Sequence, residues 1–317
     1  MLVFWNILTN WSLLVCYFNF LKNNYFYMEN VESGSTPMRE VVANPERLRE
    51  KKEIFKTEGL EKIHILSDFD RTLTYGSVDG LKTPSIISML RDGKHLSGEY
   101  ARKAHALYDQ YHPIEVDVNI SVEEKKKAMQ KWWNTHNKLL VESGLSKADL
   151  EDIVERGQVK FREGVGDFLD WLAEKDIPLV IMSASGCGDA VEMFFKKIGK
   201  DYPNIHYVTN QFEWDENGMA VAAKEPIIHS LNKDETVLSD LPEIYKQVKK
   251  RKNVILLGDG LHDLDMVKGF EYDNLISVGF QNYDNDKIGD EYKKRFDLVL
   301  AGDGGFGKVN KLMRELE

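Results

Sequence analysis

The sequence is poor in cysteine and has no excess of positive charge, and both features exclude classes of protein. Its 317 residues include two cysteines, Cys16 and Cys187. They are too few and too far apart for a disulfide framework or a zinc cluster, so we expect a reducing, cytoplasmic compartment. The 42 basic residues stand against 52 acidic ones, a net charge of −10, which argues against nucleic acid as a general partner. With 42% hydrophobic and 30% charged residues, the composition is that of a soluble globular protein, which we expect to be a monomer.

Charge is also missing from the N-terminal stretch 2–21, which is rich in aromatic residues and leucine. No basic segment precedes it and no small-residue cleavage site is evident, so a secretory signal is a poor fit. Three interpretations remain: a weak membrane anchor diluted by polar residues, an interfacial segment, or extra translated sequence upstream of a start at Met28. We favour the third. We expect residues 1–44 to be an extension, disordered or not native, with no stable membrane association unless residues 2–21 are a real anchor.

Two aspartates directly follow the first predicted strand. The apolar run 63–66 (IHIL) predicts a buried parallel strand, and SDFDRTLT follows it at 67–74. In an open α/β sheet, ligands bind beyond the strand ends. Two neighbouring carboxylates such as Asp68 and Asp70 repel each other unless a cation, a proton or a substrate relieves them. A divalent metal beside a carboxylate nucleophile meets that need, although a plain acidic loop is an equal alternative for DxD alone.

A second predicted strand, 177–182, runs into a turn of small residues, SASGCGD at 183–189, ahead of a predicted helix. Backbone N–H groups, a serine hydroxyl and the helix dipole make such a turn an anion site. By itself this signal is weak, because serine and glycine populate many turns. Its position after a strand that could lie beside the first makes a phosphate site the more specific interpretation.

A third predicted strand, 254–257, leads into GDGLHDLDM at 258–266. Asp259 and Asp263 in this segment are hard oxygen ligands suited to Mg²⁺. Lys224 and Lys233 flank a helix-like segment at 226–231, and either lysine could offset charge on a transferring phosphoryl group. Surface lysine is the commoner alternative for both.

The chain between the first strand and residue 163 shows no strong parallel-strand signal. It contains helical runs at 98–111, 121–143 and 146–156, which predict a helical cap inserted after the first strand. We interpret Trp132 and Trp133 as cap core rather than as a ligand platform. The predicted fold is α/β, with a doubly wound, Rossmann-like parallel sheet. The predicted domains are an α/β core at 45–77 and 164–317 and the cap at 78–163. Other predicted elements are helices at 45–58, 164–175 and 241–251, a hairpin at 212–221, and strands at 275–278 and 298–300.

Taken in order, DFDRTLT, SAS…GD, a lysine and GDGLHDLDM resemble the four motifs of haloacid dehalogenase-type phosphohydrolases. Further segments, HPIEVD at 112–117, VEEK at 122–125, WWNTHN at 132–137 and IIH…NK at 227–233, resemble the cytosolic pyrimidine 5′-nucleotidase family, type III. The resemblance implies Mg²⁺-dependent hydrolysis of nucleoside 5′-monophosphates, chiefly pyrimidine ones, with 7-methylguanosine monophosphate preferred by some members. The alternatives are a same-fold phosphatase for another small ester, a nucleoside phosphotransferase, and a non-catalytic phospho-ligand module, which the retained motif residues disfavour.

The resemblance also implies a role for each site residue. Asp68 is the nucleophile and Asp70 the general acid–base. Asp68, the backbone carbonyl of Asp70 and Asp259 bind Mg²⁺, and Asp263 orients them. Ser183 and Ala184 hold the phosphate, and Lys233 matches the catalytic lysine better than Lys224. Glu115 contacts the base, and His136 stands where a serine is usual in the cap.

Overall fold

A seven-stranded sheet forms the centre of the protein, in a computed structural model that describes residues 38–233, 241–268, 271–283 and 286–317. Its strands are β1 Arg39–Val41, β2 Ile63–Ser67, β5 Leu179–Ser183, β6 Ile205–Thr209, β9 Asn253–Gly258, β10 Asn274–Gln281 and β11 Leu298–Ala301. They are arranged in the order β1-β11-β10-β9-β2-β5-β6. All neighbours pair in parallel except β1, which runs antiparallel to β11. The described residues also form two short hairpins, β3 Ser77–Val78 with β4 Leu81–Lys82, and β7 Phe212–Trp214 with β8 Ala220–Ala223.

Helices cover both faces of this sheet, which confirms the predicted doubly wound α/β fold. The α-helices of the described residues are α1 Pro45–Glu58, α2 Ile86–Asp92, α3 Gly98–Val116, α4 Val122–Glu142, α5 Lys147–Glu155, α6 Val165–Glu174, α7 Asp189–Lys197, α8 Pro242–Val248, α9 Asp286–Arg295 and α10 Gly307–Glu315. Successive residues of β2, such as Ile65 and Leu66, belong to different hydrophobic clusters. One cluster contains side chains of α1, α6, α7 and α10, and the other contains side chains of α8 and α9. Because both faces are buried, the central strands are almost continuously apolar.

The helical insertion contains α2 to α5, and the chain enters and leaves it side by side. The Tyr75 N–H donates to the Lys160 carbonyl at 3.0 Å, and Thr74 bridges to Phe161. A capping box begins each of α4 and α5, formed by Ser121 with Glu124 and by Ser146 with Asp149. The division into a core at 45–77 and 164–317 and a cap at 78–163 stays a prediction, since side chains from both parts join one hydrophobic cluster.

Two expectations from the sequence were wrong in detail. Arg39–Val41 were placed in the N-terminal extension but form the edge strand β1. Residues 226–231 form no helix: the Ile228 N–H donates to Asn210 Oδ1, and Asn232 bonds the backbone of His229 and Ile227. Amide side chains therefore replace the intrahelical bonds there.

The predicted extension up to residue 37, with its three interpretations, lies outside the described residues. Among helices in the described part of the chain, none combines the length and apolar content needed to span a bilayer.

Candidate active site

The C-terminal ends of three neighbouring strands meet at one cavity. Ser67 of β2 is in register with Ile181 of β5 and Leu257 of β9, so the segments that follow these strands emerge side by side. They lead into a cavity of about 640 Å³, a size typical of small-molecule sites. It is lined by Asp68, Asp70, Arg71, Ala184, Ser185, Gly186, Lys233, Asp259 and His262 from the sheet side, and by Arg91, Tyr108, His112, Glu115, Trp132, Trp133 and His136 from the inserted helices.

A buried lysine lies between two buried aspartates at the floor of this cavity. Lys233 Nζ donates to Asp68 Oδ1 and lies 3.3 Å from Asp263 Oδ1. The second oxygen of Asp68 accepts from the Thr72 hydroxyl at 3.2 Å. Asp263 Oδ2 accepts from the Gly260 N–H at 2.8 Å, and this bond orients the carboxylate so that Oδ1 faces Lys233. All of Asp68, Asp263 and Lys233 are at least nine-tenths buried.

The acidic side chains of this cluster outnumber Lys233, the cation that compensates them, and their pKa values are shifted accordingly. Burial disfavours the ammonium of Lys233, but the charges of Asp68 and Asp263 outweigh it and raise its pKa. Burial also opposes ionisation of Asp263, yet the Lys233 charge lowers the pKa of that carboxyl. For Asp259, burial and then the charges of Asp68 and Asp263 raise the pKa well above its usual range. One lysine therefore does not neutralise the cluster.

This donor set fits a divalent cation. Oxygens of Asp68, Asp259 and Asp263 all lie within 4.8 Å of one another, and carboxylate oxygen is the ligand that Mg²⁺ prefers. The Tyr292 hydroxyl donates to the Asp259 carbonyl and holds that loop in place. A Cβ at Gly258 would lie 2.5 Å from Asp263 Cβ, so only glycine lets Asp263 come this close to the strand end.

Asp70 lies half-buried beside this cluster. Desolvation, and then the neighbouring Asp68 carboxylate, raise its pKa to about 6. A carboxyl group with that pKa exchanges its proton near neutral pH, as a general acid–base must. Lys224, the other candidate lysine, is exposed and does not line the cavity.

The turn after β5 lies on the adjacent side of the cavity. Ala184, Ser185 and Gly186 line it, whereas Ser183 is the fully buried last residue of β5 and accepts a bond from the Ser185 N–H at 3.1 Å. The Ser185 hydroxyl is buried without a hydrogen-bond partner in the described part of the chain. Sequence reasoning did not single out Ser185, because a serine in such a turn is common.

Gly186 sets the contact between this turn and the inserted helices. A Cβ there would lie 2.5 Å from the ring of Trp133. Trp133 stacks on Trp132 at 5.8 Å and on His136 at 5.7 Å. Trp132 packs among buried cap side chains, as predicted, but both indoles also line the cavity. The assignment of this pair to the cap core alone was therefore incomplete.

Glu115 lines the cavity from the inserted helices. Its Oε1 accepts from the Ser230 hydroxyl at 2.6 Å, and its Oε2 lies 3.3 Å from His112 Nδ1. Ser230 precedes Lys233 by three residues, so this contact joins the inserted helices to the loop that carries the lysine. Neither Ser230 nor its contact was visible in the sequence, since the partners are 115 residues apart.

His136 is buried in the same wall. Its Nε2 lies 3.1 Å from the Tyr100 hydroxyl, and its Nδ1 has no hydrogen-bond partner among the described residues. Burial lowers the pKa of His136 to about 4, so the ring is neutral at pH 7. Arg91 and Tyr108, which sequence reasoning missed, form a cation–π pair at 5.2 Å beside it.

Comparisons with known proteins agree with one another. The family model described as Pyrimidine 5′-nucleotidase (UMPH-1) matches residues 71–317. The chain is 34% identical over 272 residues to the 7-methylguanosine phosphate-specific 5′-nucleotidase A of Xenopus laevis, covering 86% of this chain and 93% of that protein. It is 32% identical over 288 residues to the corresponding Homo sapiens enzyme, covering 90% and 95%. The solved structure of cytosolic 5′-nucleotidase IIIB bound to cytidine superposes with a TM-score of 0.78 at 26% identity, covering 87% and 93%.

Proposed function

Since this chain belongs to the pyrimidine 5′-nucleotidase (UMPH-1) family, we propose that it hydrolyses nucleoside 5′-monophosphates to nucleoside and phosphate. One observation carries the proposal. A single cavity joins a buried aspartate–lysine cluster, suited to a phosphate, to a wall of aromatic rings with a carboxylate, suited to a base. The two ends of the cavity therefore match the two ends of a nucleotide.

The phosphate end supplies a nucleophile and charge compensation. Asp68, held by Lys233 and Thr72, attacks phosphorus in line and forms an aspartyl-phosphate. Lys233, with the Ser185 hydroxyl and backbone N–H groups around Ala184, stabilises charge on the equatorial oxygens. Ser183, the residue that the sequence motif indicates, supports this turn through its bond to Ser185. Water then attacks the aspartyl-phosphate and releases phosphate.

Asp70 moves the proton in both steps. It protonates the departing 5′-oxygen of the nucleoside, and it accepts a proton from the attacking water afterwards. Its raised pKa of about 6 suits both directions of transfer.

We propose Mg²⁺ as the cofactor. Asp68, Asp259 and the backbone carbonyl of Asp70 would hold it, with Asp263 orienting that shell. When bound, it offsets the negative charge shared by the phosphate and the carboxylates. The close approach of the three acidic side chains supports the assignment.

The base end favours an aromatic ligand with hydrogen-bond donors. Glu115 can accept from a base amino group, and the rings of Trp133 and Tyr108 line the cavity. A 7-methylated guanine carries positive charge, which both a carboxylate and an aromatic face favour. Relatives named 7-methylguanosine phosphate-specific support this substrate beside the pyrimidine nucleotides. His136 stands where a serine is usual in the cap, so the preferred base is to be determined by measurement.

The test is phosphate release from CMP, UMP, 7-methyl-GMP, AMP and phosphoserine, with and without Mg²⁺. We expect release from one or more nucleotides and little from phosphoserine. Preferential hydrolysis of phosphoserine supports the alternative of a same-fold phosphatase for another ester. Transfer of labelled phosphate to added nucleoside supports the phosphotransferase alternative. We also propose a monomeric state and a cytoplasmic location. The word cytosolic in the name of the structural neighbour supports the location.

A further inference from the structure

Arg162 is a fully buried arginine outside the catalytic cluster, at the point where the chain returns from the inserted helices to α6. Each of its five N–H donors has an acceptor. Nε donates to the Thr72 carbonyl at 2.9 Å; Nη1 donates to the Gly304 carbonyl at 2.7 Å and Asp303 Oδ1 at 3.1 Å; Nη2 donates to the Arg71 carbonyl at 2.7 Å and Asn282 Oδ1 at 2.5 Å. Burying a charged guanidinium costs free energy, and here every N–H donor is used to offset that cost, so Arg162 holds several backbone segments in a fixed geometry.

Two of those acceptors directly follow Asp70 in the chain. Arg71 has a φ of 60°, in the left-handed region that non-glycine residues seldom adopt. Its carbonyl accepts from Arg162 and also from Asn282 Nδ2 at 2.9 Å. The guanidinium therefore fixes the turn that sets the direction of the Asp70 side chain.

Asp303 extends this hold to the segment that leaves for the inserted helices. Its carboxylate accepts from the N–H groups of Gly76 and Ser77 at 2.8 and 2.6 Å. The Arg162–Asp303 pair thus joins the outgoing segment, the returning segment and the turn after Asp70. The rings of Tyr75 and Phe280 lie 5.5 and 4.9 Å from the guanidinium carbon and exclude water from it.

We propose that Arg162 is a positioning residue for the acid–base step, an inference that rests on the proposed function. In that step the Asp68 oxygen–phosphorus bond forms, the phosphorus–ester oxygen bond breaks, and the proton of Asp70 passes to the departing oxygen. Proton transfer in a site requires placement to a fraction of an ångström, and a displacement of about 1 Å costs on the order of a hundredfold in rate. Lysine carries the same charge but has three donors and no planar fork, so it cannot hold the three carbonyls and two side chains that Arg162 contacts.

The test compares two phosphate esters of similar shape and different leaving groups. Benzyl phosphate releases an alkoxide that needs a proton, whereas p-nitrophenyl phosphate releases a stable phenolate that does not. The measured quantity is kcat/KM, because it reports the steps up to release of the alcohol and excludes hydrolysis of the aspartyl-phosphate. We expect Arg162→Lys to lower kcat/KM for benzyl phosphate roughly tenfold to a hundredfold more than for p-nitrophenyl phosphate.

Two further variants make the result decisive. Asn282→Ala removes one contact to Arg162 and one to the Arg71 carbonyl, and we expect the same leaving-group dependence in milder form, even if Arg162→Lys does not fold. Arg251→Lys is the matched control, because Arg251 donates to the carbonyls of Leu60, Ile63 and Asp176, away from the cavity. We expect it to affect both esters equally.

Equal losses on both esters in Arg162→Lys and Asn282→Ala, or no loss, overturn the positioning role and leave Arg162 a stabilising residue. If the wild-type protein hydrolyses these esters but no nucleotide, the proposed function fails while the comparison still decides the role of Arg162.

Discussion

Replacing Glu115 by glutamine should separate recognition of the base from hydrolysis of the ester. Glu115 lines the cavity from the inserted helices and already accepts a hydrogen bond from Ser230 at 2.6 Å. A charge-assisted bond to a base amino group contributes about 1.5–3 kcal/mol. Losing it should lower kcat/KM for nucleotides roughly ten- to a hundredfold. Hydrolysis of p-nitrophenyl phosphate, which has no base, should fall much less.

The assay is steady-state phosphate release on both substrates for Glu115→Gln and Glu115→Ala. Ser230→Ala is the matched control, because it removes the contact between the inserted helices and the lysine loop but leaves the carboxylate free to meet the base. If Ser230→Ala reproduces the loss of Glu115→Gln, or if both substrates lose equally, Glu115 acts through closure of the cap. The nucleotide assignment would then rest on family membership and the aromatic wall.

Three further outcomes follow from the geometry. EDTA should abolish phosphate release and Mg²⁺ should restore it, while Ca²⁺ should restore little because it takes longer, more irregular coordination; full activity after exhaustive chelation contradicts the metal assignment. Burial lowers the pKa of both His64 and His136 to about 4, against 6.5 when unfolded. The unfolded chain therefore binds more protons at these histidines between the two values, and each histidine should lower stability by about 2 kcal/mol between pH 7 and pH 5. Asp70 acts in the opposite direction, because its raised pKa lets the folded state bind the extra proton, so the histidine contribution is measured as the difference in urea unfolding between wild type and His64→Gln at the two pH values; an equal pH dependence in the two proteins refutes the reasoning. Gly186→Ala should lower nucleotide kcat/KM because its Cβ meets Trp133 at 2.5 Å, whereas Gly98→Ala, with open space around it, should not; equal effects of the two would show that the Trp133 contact is unimportant.

The strand-end residues could be predicted from the sequence because local patterns mark them. Asp68, Ala184 and Asp259 each closely follow an apolar run that predicts a buried strand, and parallel strands bring such positions to one edge. The signal is strong because hydrophobicity, turn chemistry and the acid pattern agree over a few consecutive residues.

The remaining site residues could not be predicted because their partners are distant in sequence. Arg162 and Asp303 are separated by 141 positions, and neither belongs to a motif. Arg91 and Tyr108 resemble any residues of an amphipathic helix until α2 and α3 pack together. The edge strand β1 has only three residues and no apolar run, so its pairing with β11 is decided by tertiary structure alone.

The role of Asp68 as nucleophile is tested most directly by trapping the phosphoenzyme. Asp68→Asn nearly preserves the size of the side chain, but an amide cannot attack phosphorus. The measurement is acid quenching after mixing with phosphate-labelled nucleotide, followed by counting of label on the protein, with thermal unfolding as the check of folding. We predict labelled wild-type protein, and an unlabelled, folded and inactive Asp68→Asn variant. Turnover and labelling of the variant at wild-type levels would contradict Asp68 as the nucleophile and, with it, the mechanism proposed for this family member.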